Sequence, residues 1–428
     1  MKRYPKYKDS GVEWIGEIPE NWGLPKLKHL ISDSFGGEVI DKSFWGEGEE
    51  TLYTTSKNIH KSDYTGFNNE RRTTTDDLLL SRNGDGIVHI PPKGCIYTNV
   101  VQLVRIKNKI DRRFLWYSLT FQIKPLNSFS NGDFIVSLNK EQWFNLLTPL
   151  PTFEVQHQIV SYLDRKTEGI DKLIQTKVRK IELLKEYRTS LISKVVTKGL
   201  NPNVEMKDSG VEWIGEIPRG WGVKRLKNVS DIKPSNVDKH IFPDEIQVRL
   251  CNYTDVYYND FISESTELKP GSCNEMEFEK FRLKKGDVII TKDSESPDDI
   301  GIPCLVKDDF DDVVCGYHLT LIRPQNMDGR FIFRFIQSDR TRRYFEINSN
   351  GITRYGLGKS SIENLFLPFP SLSEQEQIVS YLDEQTQLID KNIQTEERKI
   401  ELLKEFRQSL ISEVVTGKIK VCNDEEVH

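Results

Sequence analysis

Three pairs of short polar loops carry the most visible chemistry of this 428-residue chain. Ser81-Arg82-Asn83-Gly84 corresponds to Thr291-Lys292-Asp293-Ser294 in two long segments that follow the same order. Upstream, Ser56-Lys57-Asn58 corresponds to Tyr253-Thr254-Asp255. Downstream, Ser130-Asn131-Gly132 corresponds to Ser349-Asn350-Gly351, which leads into Thr353, Arg354 and Tyr355. Arg105 and Arg323 close matching apolar runs. Arg and Lys engage guanine edges, Asn adenine edges and Asp the cytosine amino group, while Gly and Ser let backbone approach phosphate. Ordinary surface turns favour the same residue types. The symmetric placement of the whole set tips the reading towards a nucleic-acid surface. The candidates in the first segment are Lys57, Asn58, Ser81, Arg82, Asn83, Gly84, Arg105 and Asn131. Those in the second are Thr254, Asp255, Thr291, Lys292, Asp293, Ser294, Arg323, Asn350, Arg354 and Tyr355. The pairs Arg71-Arg72 and Arg342-Arg343 are further candidates for phosphate contact.

These loops need a scaffold, and the chain spells it twice. KDSGVEWIGEIPENWGLPKLK at 8–28 returns as KDSGVEWIGEIPRGWGVKRLK at 207–227. QIVSYLD…IELLKEYRTSLISKVV at 158–196 returns at 377–415, with 29 of 39 aligned residues identical. Long repeats give one chain two similar units and a pseudo-two-fold body. The repeated frame brackets segments, roughly 29–148 and 228–367, that differ strongly in sequence.

Within the frame, Ile170, Ile174, Ile181, Leu184, Leu191 and Val195 recur at three, four and seven. Ile389, Ile393, Ile400, Leu403, Leu410 and Val414 repeat the pattern. Such spacing predicts amphipathic helices with a narrow apolar seam. A helix over about 154–197 would run roughly 65 Å, and two of them would pair as an antiparallel coiled coil. Ser371 with Glu374 matches a capping box, and Gly199 and Gly417 mark the ends. In the variable segments, DLLLS (77–81), VVQLVRI (100–106), GDVIIT (286–291) and HLTLIR (318–323) read as strands. RRFLWYSLTFQ (112–122) and RFIFRFIQS (330–338) read as helices. The expected fold class is α/β (α+β), with two diverged copies of one domain. The expected divisions are 1–152, a helix over 153–199, 200–371, a helix over 372–418, and a flexible tail at 419–428. Trp14, Trp22, Trp213 and Trp221 are expected as clamps on the domain surfaces.

No catalytic engine is legible. The chain has neither the glycine-rich cofactor loop nor the Asn/Asp-Pro-Pro-aromatic loop of a DNA methyltransferase. GLGKSS at 356–361 has Thr353 where a phosphate-binding loop needs its first glycine, so it reads as a turn. The seven histidines and six cysteines show no metal-ligand spacing, and the cysteines read as reduced, mostly buried thiols. Net charge is −5, which argues against nonspecific coating of DNA and leaves room for partners that supply positive field. The start lacks a signal-peptide pattern and no run reaches the length of a membrane span, so a cytoplasmic protein without membrane contact is expected.

As an ordered set, these features resemble the specificity subunit of Type I restriction-modification systems. The resemblance rests on the two variable segments, the repeated motif at 11–22 and 210–221, and the Pro-x-Pro…QIVSYLD…IELLKE helices at 149–196 and 368–415. It covers essentially the whole chain. It implies two target-recognition domains, each reading one half of a bipartite, asymmetric site in double-stranded DNA. The helices would form a coiled-coil spacer that fixes the gap. Two methyltransferase subunits would dock on this frame, and two restriction subunits would complete the enzyme. The chain itself would be non-catalytic, and S-adenosylmethionine, ATP and Mg2+ would belong to those partners. The same residues would also suit a Type IIB-like enzyme, whose partner fuses methylation and cleavage.

Overall fold

The computed structural model describes residues 3–82, 86–128 and 139–421. Asn83, Gly84 and Asn131 of the candidate set, and Cys422, lie outside the described residues. The chain divides into two compact units, 1–177 with 398–428, and 178–397.

Each unit is built on the same strand order. In the first, an antiparallel sheet runs Ile31–Gly36, Val101–Ile106, Asp77–Ser81, Val88–His89. In the second, the corresponding order is Ser230–Pro234, Leu319–Pro324, Val288–Thr291, Pro303–Val306, with Phe261–Ile262 added at the edge. A smaller sheet follows in both. His60–Ser62, Trp45–Tyr53 and Ile96–Tyr97 match Lys269–Cys273, Ile246–Cys251 and Val313–Cys315. In both small sheets the first pair is antiparallel and the second parallel.

Uninterrupted apolar strands make sense because both their faces are covered. Leu78 and Leu80 face a core with Leu115, Leu119 and Trp143, while Leu79 faces Leu52, Ile96 and Leu103. In the second unit Val288 and Ile290 pack with Phe331 and Phe335, and Ile289 packs with Cys304 and Leu321. Cys95, Cys251, Cys273, Cys304 and Cys315 are buried free thiols.

The long helices run Phe153–Lys198 and Leu372–Val415. They pair antiparallel. In the second unit Lys180 bonds Glu396 at 2.9 Å and Arg188 bonds Asp390 at 3.1 Å. In the first, Arg407 bonds Asp171 at 3.0 Å, the repeat-equivalent of Arg188 and Asp390. Of the seam residues, Ile170, Ile181, Val195, Ile389, Ile393, Ile400, Leu410 and Val414 are buried, while Ile174, Leu184, Leu191 and Leu403 are half-buried.

Equivalent locks tie each domain to its helix start. Gln156 accepts from the Asp111 amide at 2.8 Å and donates to Pro151 O at 3.0 Å. Gln375 does the same with Asp328, at 2.9 Å, and Pro370, at 2.9 Å. The Ser371 hydroxyl and the Glu374 carboxylate close the expected capping box. Gly199 and Gly417 end the helices at φ +73° and +74°. A Cβ on Gly417 would fall 2.5 Å from Pro19, so the turn requires glycine on both counts.

The first hairpin and the end of the second long helix meet within the first unit. The Tyr7 hydroxyl donates to Gly417 O at 3.1 Å, seating the hairpin of Tyr7–Asp9 and Glu17–Pro19 on the end of the second helix. In the second unit the equivalent hairpin, Met206–Asp208 with Glu216–Pro218, follows directly from the first helix. Trp22 and Trp221 depart from expectation. Both are core residues, 2% and 3% exposed, because the hairpin folds its apolar side under itself. Trp14 and Trp213 are half-buried. Ile419 is buried against the first unit's core although it falls in the segment expected to be a tail. The GLGKSS stretch is strand Tyr355–Leu357 followed by the short helix Lys359–Glu363, rather than a bare turn.

Candidate nucleic-acid interface

Each unit organises its loops around one turn. In the first, Thr98 N donates to Tyr53 O at 3.0 Å and Arg82 N donates to Val100 O at 2.8 Å. In the second, Gly316 N donates to Cys251 O at 2.8 Å and Lys292 N donates to His318 O at 2.9 Å. The turns 98–100 and 316–318 therefore bring the ends of two sheets together by the same backbone bonds. The side chains on this common frame differ. Arg82, Asn99 and Val100 in one unit stand where Lys292, Tyr317 and His318 stand in the other.

Several candidates belong to the frame itself. The Ser81 hydroxyl accepts from Ile87 N at 2.6 Å and the Thr291 hydroxyl from Ile302 N at 3.0 Å, closing equivalent loops. Both residues are buried, so neither presents its hydroxyl outward. Lys292 donates to Ser235 O at 3.0 Å. Asp255 accepts from Asn252 N at 2.8 Å in the capping box of the helix Tyr253–Tyr257. Ser294 is buried and accepts from Ser296 N.

Arg105 and Arg323 each pair with a buried carboxylate. Arg105 bonds the buried Asp77 at 3.0 and 3.2 Å, and Arg323 bonds the buried Asp287 at 2.9 and 2.7 Å. These hydrogen bonds hold both guanidinium groups above their already high ordinary pKa. Arg72 is likewise committed, to Glu50 at 2.7 and 2.8 Å and to Gly94 O.

Lys57, Asn58, Arg82, Thr254, Asn350 and Arg354 are exposed, and Asp293 and Tyr355 are half-buried. Arg71, Arg342 and Arg343 have no common fate with Arg72: Arg342 and Arg343 are exposed, and Arg71 donates no side-chain bond to a carboxylate among the described residues.

In the second unit the loops line an open cleft of ≈ 740 Å³. The helix Tyr253–Tyr257 forms one wall. Asp293–Ser294, paired with Tyr355–Leu357 and then Ser349–Asn350, forms another. Tyr253 and Tyr257 stack at 5.5 Å and 19°. The Tyr257 hydroxyl donates to Asp299 at 2.5 Å, and that bond pushes its pKa up to about 12. The rim is acidic, with Asp293, Glu295 and Asp299 against the single arginine Arg354. Carboxylates repel phosphate but accept from base amino groups. The cleft is thus chemically suited to base edges and aromatic stacking rather than to gripping a backbone.

Tyr257, Tyr258, Glu295, Asp299 and His318 were not singled out from the sequence. Proximity to Thr254 and Asp293 was the only available signal for four of them. His318 gave none, because its place depends on a positive φ of 70° in the turn. Among the described residues no group of three or more His, Cys, Asp or Glu could hold a metal ion, and no helix is long and apolar enough to cross a membrane.

Two half-similar units, each with long-helix segments and a variable loop edge, define a DNA-specificity architecture. The profile of the Type I restriction modification DNA specificity domain matches residues 19–183 and 218–405, and the chain belongs to this family. It is 27% identical over 421 residues to the Type I restriction enzyme MjaVIII specificity subunit of Methanocaldococcus jannaschii, covering 95% of each chain. It is 20% identical over 364 residues to the EcoBI specificity subunit of Escherichia coli, covering 80% of this chain and 74% of that one. In fold it is similar to a chain solved in a study of complex assembly and conformational transition of the type I R-M system. That match has TM-score 0.69 and 15% identity, and covers 94% and 99% of the two chains. It is also similar to the HsdS subunit of Thermoanaerobacter tengcongensis, with TM-score 0.50, 15% identity, and 94% and 98% covered.

Proposed function

We propose that this chain is the non-catalytic, DNA-reading subunit of a Type I restriction-modification enzyme, each unit reading one half of a bipartite, asymmetric site. One observation carries the reading. The bonds from Arg82 N to Val100 O and from Lys292 N to His318 O are the same, while the side chains that surround them are not. A constant frame with exchanged loop residues is what two different half-sites require. Lys57, Asn58, Arg82, Thr254, Asp293, Asn350, Arg354 and Tyr355 are the proposed reading set. Asn83, Gly84 and Asn131 remain in it on sequence grounds alone.

The antiparallel helices would act as the spacer between half-sites. The repeated frame would dock two methyltransferase subunits. Leu183 and Tyr187, spaced i, i+4 on one helix face, are 48% and 55% exposed. Their repeat-equivalents Leu402 and Phe406 are 46% and 52% exposed. Exposed apolar pairs kept in both copies fit two copies of one partner. S-adenosylmethionine, ATP and Mg2+ would act in the methyltransferase and restriction subunits, and this chain would provide the address. The assembly would work in the cytoplasm.

The test is co-expression with the neighbouring methyltransferase in an unmethylated host, followed by mapping of N6-methyladenine. The expected result is one split motif that vanishes when this chain is omitted. Methylation with the same motif in its absence would refute the reading.

A further inference from the structure

We propose that Arg354 reads a guanine in the half-site of the second unit, and that His318, held by Asp293, positions it. This assignment rests on the DNA-reading role argued above and names the residue and base.

The geometry begins at an unusual backbone position. His318 has φ +70°, and Lys109 is the other non-glycine residue with positive φ among those described. The turn thereby sends the imidazole to Asp293, whose Oδ2 lies 2.5 Å from Nδ1. A carboxylate accepts, so Nδ1 is the donor of this bond. Arg354 Nη2 lies 3.4 Å from both ring nitrogens, which sets the guanidinium against the imidazole ring rather than in line with one lone pair. The Tyr317 ring backs the imidazole, with centroids 3.6 Å apart.

Asp293 pairs with Gly356 on the neighbouring strand, and a second glycine fixes the course of the hairpin. Gly351 sits at φ +149°, and a Cβ there would fall 2.0 Å from Arg354 O. The hairpin that carries Arg354 therefore has little freedom to change course.

Arg354 also differs from those arginines of its unit that are committed to carboxylates. Arg249, Arg323 and Arg330 each fork onto a carboxylate, Asp312, Asp287 and Asp328 respectively. Those charge-assisted pairs are strong and occupy the fork. Arg354 lies beside an imidazole rather than on a carboxylate and is exposed. Its remaining N–H groups are left for a ligand, and the guanidinium fork matches O6 and N7 of guanine. The acidic rim of Asp293, Glu295 and Asp299 makes a phosphate a poor alternative. The first unit has Val100 at the place of His318 and cannot aim an arginine in this way. The two half-sites would then differ in how they are read.

The experiment maps N6-methyladenine with this chain and its methyltransferase, wild type against variants. Wild type should give a split motif with a guanine in one half. Arg354→Ala should make that guanine degenerate and leave the other half unchanged, with discrimination there reduced roughly ten- to hundredfold. Arg354→Lys should fail to restore it, because a point charge lacks the fork. His318→Asn, which tolerates the left-handed backbone but lacks the ring, should weaken preference at the same base while the unit stays folded. A merely structural role would lower the yield of complex without altering the preference for one base. If Arg354→Ala abolishes methylation, binding of the purified complex to duplexes substituted along that half-site gives the same reading. Cognate binding falling to the level of the guanine-substituted duplex supports the proposal. An equal loss on all duplexes, or an unchanged motif, overturns it. A wild-type complex with no split motif would instead sink the DNA-reading role on which the assignment rests.

Discussion

Arg323 forks onto the buried carboxylate of Asp287 at 2.9 and 2.7 Å, and the same residue also donates to Arg282 O. Arg105 makes the corresponding fork onto Asp77 in the other unit. Asp287 and Asp77 each also accept from a backbone amide three residues before them, those of Lys284 and Thr74. These are fixed joints between neighbouring strands. Arg323→Ala strands a carboxylate that is 2% exposed, and should cost about 3–5 kcal/mol. Denaturant unfolding of the second unit checks this. The recognised DNA sequence should not change wherever the complex still assembles.

The partners in these joints were not legible in the sequence. Arg105 and Arg323 share the residue type and strand-end position of a base reader. Their partners lie 28 and 36 positions away, and pairing at that distance is fixed by sheet order rather than by local pattern. The long helices were legible because periodicity and repetition state the same thing twice. The apolar strands were legible because burial on both faces needs an unbroken run. Ser81 and Thr291 looked like polar loop residues, yet their hydroxyls are spent closing the loop. His318 was opaque for the opposite reason, since only the turn conformation aims it at Asp293.

Arg82 is exposed, and among the described residues its side chain makes one long contact, 3.5 Å to Asn99 O. Arg82→Ala should therefore spare stability, within about 0.5 kcal/mol. It should relax one half-site only. Methylome mapping distinguishes this from uniform weakening on all sequences, which would make Arg82 a phosphate contact.

Acid should loosen the first unit through Glu50. The hydrogen bonds from Arg72 hold the Glu50 carboxyl below its ordinary value of 4.5. A depressed folded-state pKa means the stabilisation is present above about pH 4.5 and is lost as pH falls through the lower folded value. Glu50→Gln should flatten that part of the stability curve, measured by thermal melting from pH 6 downward. An unchanged acid limb would count against this pair as its source.

The helices offer a test of spacing. Seven residues added to each long helix, after Lys177 and after Glu397, add two turns and about 10 Å while preserving the apolar seam. At about 3.4 Å per base pair this corresponds to roughly three base pairs. The methylated motif should keep both half-sites and widen its gap by about that amount. Retention of the original gap with full methylation would show that the helices do not set it.

The exposed apolar pairs make the final prediction. Leu183 and Tyr187 lie off the seam formed by Ile181 and Leu184, as Leu402 and Phe406 lie off that formed by Ile400 and Leu403. Changing Tyr187 and Phe406 to Glu should leave the fold intact, because both side chains are more than half exposed. It should weaken methyltransferase binding, since aromatic residues carry a large share of interface energy, about 2 kcal/mol or more each at a hot spot. Each single substitution should remove one methyltransferase from the complex and the pair should remove both. Analytical ultracentrifugation of the mixed subunits reads the stoichiometry directly. A complex of undiminished mass with both residues changed would move the docking face elsewhere on the frame.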